Sequence, residues 1–128
     1  MVSSRWVPLT MYARVRCDID LHDPSLSSED VACLNRLLTL RRLRTTHLGA
    51  NDIMLNGGRI DYNQDNSTRI YARMNVTGRH MTLRVPIIIR IRDYYLAQHN
   101  IALSDDAAPL LIVDGGNRFP IDVIEIEA

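Results

Sequence analysis

The chain has 128 residues, which is enough for one domain and leaves no room for a second core of useful size. Apolar residues make up 46% of the sequence and charged residues 23%, as in an ordinary globular domain. No apolar run approaches the roughly 18 residues that a membrane span requires, and the first residues include no apolar stretch of signal-peptide length. We therefore expect an intracellular protein, cytoplasmic or nuclear, that makes no contact with a membrane.

The formal net charge is zero, but the charges are unevenly distributed along the chain. Residues 36–92 contain 11 arginines and three acidic residues, whereas residues 1–35 contain three and five, and residues 93–128 contain one and seven. All 15 basic residues are arginine. A basic middle between acidic flanks indicates either an anion-binding face or charges that interleave and cancel on the folded surface.

The first third of the chain predicts a strand followed by a helix. Residues 11–21 alternate polar and apolar side chains from Arg14 onward, which is typical of a strand. Ser27 followed by Asp30 is a near match to a capping box and predicts that a helix begins there. The apolar residues of this helix recur at helical spacing: Val31, Leu34, Leu37 and Leu38.

Beyond this helix the apolar period changes to two, which is typical of strands. Strands are predicted over 40–48, 59–62, 69–74, 81–85, 109–113 and 119–126, with a short apolar run at 53–55. Pro86 suits the first turn of a helix and predicts one over 87–98, although the isoleucines there are also compatible with a strand. The sum is a mostly β domain, a small barrel-like sheet with helical insertions.

Two C-terminal stretches are the most distinctive part of the sequence. Residues 93–103 read Asp-Tyr-Tyr-Leu-Ala-Gln-His-Asn-Ile-Ala-Leu, and residues 108–113 read Ala-Pro-Leu-Leu-Ile-Val. They resemble the PAZ domain of Argonaute and Piwi proteins, where a helix ending in Tyr-Tyr or Tyr-Phe leads to a Tyr-Asn-Ile-x-Leu strand and then to Pro-Leu-Leu. Residues 118–126 are similar to that family's last strand, and residues 45–49 to its Thr-His-x-Gly segment.

The resemblance covers about residues 28–126 and implies a single PAZ-like domain over 1–128, with 1–27 as an N-terminal extension that carries the first strand. The implied fold is a small OB-like or SH3-like β-barrel with a β-hairpin/helix insertion. The implied function is capture of the 3′ end of a single-stranded small guide RNA, within an Argonaute/Piwi-type protein. The expected partners are this RNA and the remaining domains of such a protein, and RNA granules are an expected location. The chain lacks the long basic insertion of the Dicer version of the domain.

The resemblance also implies a set of RNA-contacting residues. Tyr94 and His99 match positions that contact the terminal phosphodiester, and His47 matches a further phosphate contact. Tyr71 most nearly matches the aromatic residue of the insertion that stacks on the last base, and Phe119 the residue that shapes the pocket floor. Because Tyr94 and His99 are five residues apart, we expect His99 to lie just past the end of the helix.

One position departs from the family pattern. Gly58 stands where the family has a tyrosine, so one hydroxyl donor to the phosphate is missing. Arg59 matches a basic position and is a further candidate contact, and Arg59 or the nearby Tyr62 could compensate. The alternative is a degenerate PAZ-like fold that binds no 3′ end and acts as a protein-interaction or structural module.

Other interpretations stay open for several residues. Either Tyr94 or Tyr95 should belong to the core, and Tyr95 is the better candidate. Candidate contacts to the RNA backbone are Arg41, Arg44, Arg69 and Arg73. Alternatively, the arginines at 41, 42 and 44 form a solvated strand edge that discourages strand pairing. Protonation of the two pocket histidines would add positive charge, so the affinity for RNA should rise modestly as the pH falls.

The sequence contains no pattern of an enzyme active site. Its four histidines lack the spacing of metal ligands, and no glycine-rich phosphate loop precedes a helix. Cys17 and Cys33 have no diagnostic neighbours, and we expect both to be buried, reduced thiols. We therefore expect no catalytic residue, no metal ion and no cofactor; in the resembled proteins, RNA cleavage belongs to a separate domain.

Overall fold

The fold is described from a computed structural model, which covers residues 5–23, 25–47, 52–103, 105–113 and 115–127. Within these ranges the chain forms three α-helices and nine strands. The helices are α1 (Leu9–Cys17), α2 (Ser28–Leu38) and α3 (Ile91–His99). The strands are β1 (Trp6–Pro8), β2 (Arg42–Thr45), β3 (Met54–Asn56), β4 (Arg59–Asp65), β5 (Arg69–Thr77), β6 (Thr82–Arg90), β7 (Pro109–Ile112), β8 (Arg118–Pro120) and β9 (Ile124–Glu127).

The strands form three antiparallel sheets. The first has the order β1-β9-β2-β3, the second the order β4-β7-β8, and the third is the β5–β6 hairpin. The predicted mixture of mainly antiparallel strands with helices is confirmed, and the described strands do not close into a barrel. β2 lies between β9 and β3, so the expectation that its arginines protect a free strand edge is wrong.

The strand predicted over 11–21 is a helix instead. The side chains of Leu9, Tyr12 and Ala13 recur at i, i+3 and i+4 and are buried in the core. That spacing is helical. The alternating pattern would bury Val15, but the Val15 side chain is 74% exposed. Burial of the helical face therefore overrides the period of two. The helix ends at Asp18, which adopts a left-handed conformation (φ 54°).

The predicted helix α2 is confirmed. The Ser27 hydroxyl accepts a hydrogen bond from the backbone N–H of Asp30 at 3.1 Å, as the capping-box pattern predicts. Leu34 and Leu38 are fully buried, and Val31 is half-buried beside them. The cap and the apolar face therefore specify the same element.

The helix predicted over 87–98 begins four residues later than expected, at Ile91. Pro86 lies within β6, opposite Arg73 of β5, and the strand continues through the isoleucines 87–89 to Arg90. β-branched side chains favour extended backbone, and a two-stranded hairpin consists only of edge strands, in which proline is tolerated. Local β preference therefore outweighs the helix-start signal of the proline.

The strand predicted over 119–126 is divided into two. β8 pairs with β7 in the second sheet, a 3-10 turn spans Ile121–Val123, and β9 then pairs with β1 and β2 in the first sheet. Ile121, Val123, Ile124 and Ile126 are buried. The C-terminal segment therefore joins the two larger sheets around one core.

The cap of α2 gives a direct test of this description. Replacement Ser27→Ala removes the acceptor of the Asp30 N–H, and we expect the free energy of unfolding to fall by about 1 kcal/mol in urea denaturation. Ser28→Ala, one residue further on and also exposed, is the matched control and should change stability little. Equal stability of the two variants would contradict the cap.

Candidate functional site

Five rings from three separate parts of the chain gather at one place, which we call the ring cluster. Its members are His47, Tyr94, Tyr95, His99 and Phe119. The His47 and His99 rings meet edge to face, with centroids 4.8 Å apart. Tyr94 lies 5.6 Å from His99, and Phe119 lies 6.1 Å from His47. Four of the six predicted pocket residues are therefore brought together.

The ends of secondary-structure elements position these rings. His47 follows β2 by two residues, and the preceding Thr46 N–H donates to the Val123 carbonyl at 2.8 Å. His99 is the last residue of α3, not the first residue beyond it as expected. Asn100 then turns the backbone into the left-handed region (φ 55°), and its N–H bonds to the Leu96 carbonyl.

The cluster has a buried side and an accessible side. Tyr95 is only 5% exposed, which confirms the expectation that it belongs to the core. The other four rings are half-buried, so each keeps part of its surface open to solvent. An external molecule can therefore contact the accessible rings, while Tyr95 supports them from below.

The environment favours the uncharged forms of the buried members. Burial and the neighbouring His99 hold the pKa of His47 below its usual value, and Asp52 offsets this in part. Burial, and to a smaller degree the Tyr94 hydroxyl, raise the pKa of Tyr95. The buried Nδ1 atom of His47 has no hydrogen-bond partner in the part of the chain that the structure describes. A neutral imidazole offers one donor and one acceptor; because Nδ1 is enclosed by the protein, the half-buried ring can meet a ligand only through its remaining exposed atoms.

The remaining two predicted pocket residues do not contact the cluster. Arg59 lies at the start of β4, exposed, with its guanidinium 4.0 Å from the Asp61 carboxylate. Tyr71 lies on β5, 70% exposed, and its ring does not meet those of the cluster. These residues contribute to a pocket only if the ligand extends beyond the ring cluster.

The four arginines predicted to contact the RNA backbone fall into two groups. Arg44 is engaged: its Nε donates to Glu125 at 2.8 Å, and its guanidinium lies 4.5 Å from the centroid of the Trp6 ring. Arg41 lies over Tyr12 at 6.0 Å. Arg69 and Arg73 are exposed on β5 and make no ion pair with any residue within the described ranges. Only the second pair is therefore available to an anion without displacing a protein partner.

The packing around position 58 explains why a glycine occurs there. A Cβ atom at this position would lie 3.0 Å from the Leu111 side chain and 3.2 Å from the Ile112 carbonyl, because β4 packs closely against β7. Any side chain at this position requires the end of the Leu111 side chain to move and the Ile112 carbonyl to give way slightly. The missing hydroxyl is therefore a property of the local packing.

The two cysteines differ in their exposure to solvent. Both cysteines are free, but only Cys17 is half-buried; Cys33 is exposed, so the expectation of two buried thiols is wrong. Burial raises the pKa of Cys17, which keeps it a thiol and not the reactive thiolate. Among the described residues, no three His, Cys, Asp or Glu side chains are grouped as a metal site.

Comparison with protein-family models and with curated proteins finds no match for this sequence. None of the helices in the described ranges combines the length and the apolar character needed to cross a bilayer.

The pKa of His47 predicts how stability depends on pH. Because the folded state holds this pKa below the unfolded value of about 6.5, the unfolded state takes up more protons as the pH falls past that value. The folded state accommodates the neutral form of His47. The free energy of unfolding is therefore highest above pH 7, where His47 is neutral in both states, and falls on acidification. We expect His47→Gln to reduce the loss of stability between pH 7 and pH 5, measured by urea denaturation. His80→Gln, in the exposed turn of the hairpin, is the control; equal pH dependence in both variants would contradict the assignment.

Proposed function

We propose that this chain is an RNA-binding module that holds the 3′ end of a single-stranded small guide RNA at the ring cluster. The observation that carries the proposal is the convergence of His47, Tyr94, His99 and Phe119. These residues were selected from the sequence as pocket residues and come from segments far apart in the chain. Random positions would rarely meet in this way.

The chemistry of the cluster suits a 3′ terminus. Such an end offers a flat base, two hydroxyl groups and a phosphodiester, and capture without regard to sequence needs ring faces and hydrogen-bonding groups. The Tyr94 hydroxyl and the imidazoles of His47 and His99 can donate to phosphate oxygens or accept from hydroxyls.

The arrangement of elements is compatible with the resembled domain. The β5–β6 hairpin runs directly into α3, because Arg90 ends the strand and Ile91 begins the helix. A hairpin followed by a helix, beside a core of antiparallel strands, is the composition expected for a PAZ insertion and its barrel. Under this proposal the chain is a PAZ-like domain of a larger Argonaute/Piwi-type protein.

The packing around Gly58 favours a second candidate function. A side chain at position 58 would crowd Leu111 and the Ile112 carbonyl, and Arg59 is already within 4.0 Å of Asp61. Both features reduce the number of donors aimed at a phosphate. The second candidate is therefore a PAZ-like module that contacts protein and binds no RNA end.

Replacement of Tyr94 separates these two functions. We expect Tyr94→Ala to weaken binding of a short single-stranded RNA with a free 3′-OH by about 5- to 150-fold, since a ring that stacks on or positions a base is worth roughly 1–3 kcal/mol. Fluorescence anisotropy with a free 3′-OH, a 2′-O-methyl 3′ end and a 3′-phosphate measures the effect. Leu96→Ala, an exposed change on the same helix, is the control. Absence of wild-type binding at modest salt would favour the protein-contacting module.

The affinity should depend on pH in the opposite direction to the stability. A bound phosphate favours the imidazolium form, so RNA affinity is expected to rise modestly as the pH falls from 7.5 to 5.5. The low pKa of His47 places its share of this rise in the acidic part of the range. His47→Gln should flatten the profile in anisotropy titrations, and a flat wild-type profile would exclude His47 and His99 as charged contacts.

A further inference from the structure

One face of the β5–β6 hairpin groups three arginines, Arg69, Arg73 and Arg84, that have no ion-pair partner among the described residues, and we call it the hairpin face. Side chains alternate between the two faces of a strand, so alternate residues of β5 and their partners in β6 lie together. The hairpin face consists of Arg69, Tyr71, Arg73 and Asn75 on β5, and of Arg84, Pro86, Ile88 and Arg90 on β6. All eight side chains are exposed.

The two faces of the hairpin differ in chemistry. The opposite face is apolar and half-buried; it includes Ile70, Ala72, Met74, Val85, Ile87 and Ile89. Ile70 packs against the main core. The hairpin face in contrast exposes 70% of Tyr71 and 72% of Ile88, which lie opposite each other in the register. The hairpin therefore attaches through one face and leaves the other open to a ligand.

The charges of the hairpin face are not balanced by acids. No Asp or Glu occurs between Asp65 and Asp93 in the sequence. Arg90 donates to Asp93 at 2.9 Å, but Arg69, Arg73 and Arg84 have no ion-pair partner among the residues that the structure describes. By contrast, two arginines of β2 are neutralised by acidic residues of β9, in the pairs Arg42–Glu127 and Arg44–Glu125.

The arrangement of these arginines costs stability in the absence of an anion. Arg69 lies directly opposite Arg90, and Arg73 lies diagonally across from Arg84, since Arg73 pairs with Pro86 and Arg84 with Asn75. Like charges on neighbouring strands repel each other. A bound polyanion would convert this repulsion into attraction.

The spacing of the side chains favours a single-stranded nucleic acid. Arg69 and Arg73 are four residues apart on one strand, about 13 Å along its axis, with Tyr71 between them on the same face. An unpaired strand offers phosphates and bases in turn, so that guanidinium groups can bind phosphate while the ring stacks on a base. Asn75 adds a side chain that can both donate and accept hydrogen bonds.

We propose that the hairpin face is a binding surface for the backbone of single-stranded RNA that requires no 3′ end. The site is separate from the ring cluster and does not depend on 3′-end capture. Tyr71 acts here as a stacking platform for an internal base, and Arg69, Arg73 and Arg84 bind phosphates.

A circular single-stranded RNA tests the proposal because it has no end. We expect the wild type to bind it, with the logarithm of affinity falling as the logarithm of salt rises. The double variant R73Q/R84Q should reduce that slope by about 1.4, since each lost phosphate contact on a single strand contributes roughly 0.7. Tyr71→Ala should weaken binding by about 5- to 150-fold. The double variant R14Q/R36Q, with equal loss of charge on exposed helical positions, is the matched control and should leave the slope unchanged.

Three outcomes would overturn the proposal. The first is failure of the wild type to bind the circular RNA. The second is an equal salt dependence of affinity for R73Q/R84Q and the wild type. The third is binding to phosphatidylserine vesicles that requires Arg73 and Arg84, without binding of the circular RNA. Tyr94→Ala keeps this test distinct from that of 3′-end capture, because it should weaken only the linear RNA. Binding of the circle through Arg73 and Arg84 without any preference for a 3′ end would support the hairpin face and reject the ring-cluster function.

Discussion

Burial of the C-terminal segment is the constraint on which the rest of this structure depends. β8 belongs to one sheet and β9 to another, and the intervening turn buries Ile121 and Val123 between them. The same segment carries Phe119 into the ring cluster and supplies the Val123 carbonyl that holds Thr46 beside His47. Loss of this segment would therefore separate the sheets and dismantle the candidate site at the same time.

The fold also shows which charges of the basic segment, residues 36–92, are paired with acidic residues. Acidic residues of β9 pair with arginines of β2, and Asp106 is hydrogen-bonded to Arg92. In these places the charges interleave and cancel. In the hairpin, Arg90 pairs with Asp93, whereas Arg69, Arg73 and Arg84 have no ion-pair partner within the described ranges. Charges are therefore paired in one part of the basic segment, and the arginines of the hairpin face are the part to which the anion-binding interpretation still applies as a prediction.

The sequence predicts an element correctly where its capping or turn residues and its apolar pattern indicate the same secondary structure. Helix α2 has a cap at Ser27 and an apolar face, and strands β5 and β7 alternate or are uniformly apolar. Prediction fails where two local signals conflict and tertiary burial decides between them. The alternation around Val15 loses to the buried face of Leu9 and Tyr12, and the proline at 86 loses to the isoleucines that follow it.

The candidate site was predictable in its members but not in its geometry. Four pocket residues were identified through resemblance to a family, which supplies the tertiary information that a single sequence lacks. Their meeting depends on the paths of β2, α3 and β8, and no local pattern specifies those paths. The hairpin face was recognised only in part, at Arg69, Tyr71 and Arg73. The sequence predicts only the first part of β6, over 81–85, as a strand and the residues from 87 onward as a helix, so the pairing of Ile88 with Tyr71 does not follow from the local pattern.

Pro86 has a consequence for association between molecules. A long two-stranded hairpin has two open edges in the described chain, and such edges can add strands from other copies. Proline offers no N–H to an incoming strand, and the neighbouring arginines repel an identical edge. The residue that misleads helix prediction thus disfavours edge-to-edge pairing between hairpins of neighbouring molecules.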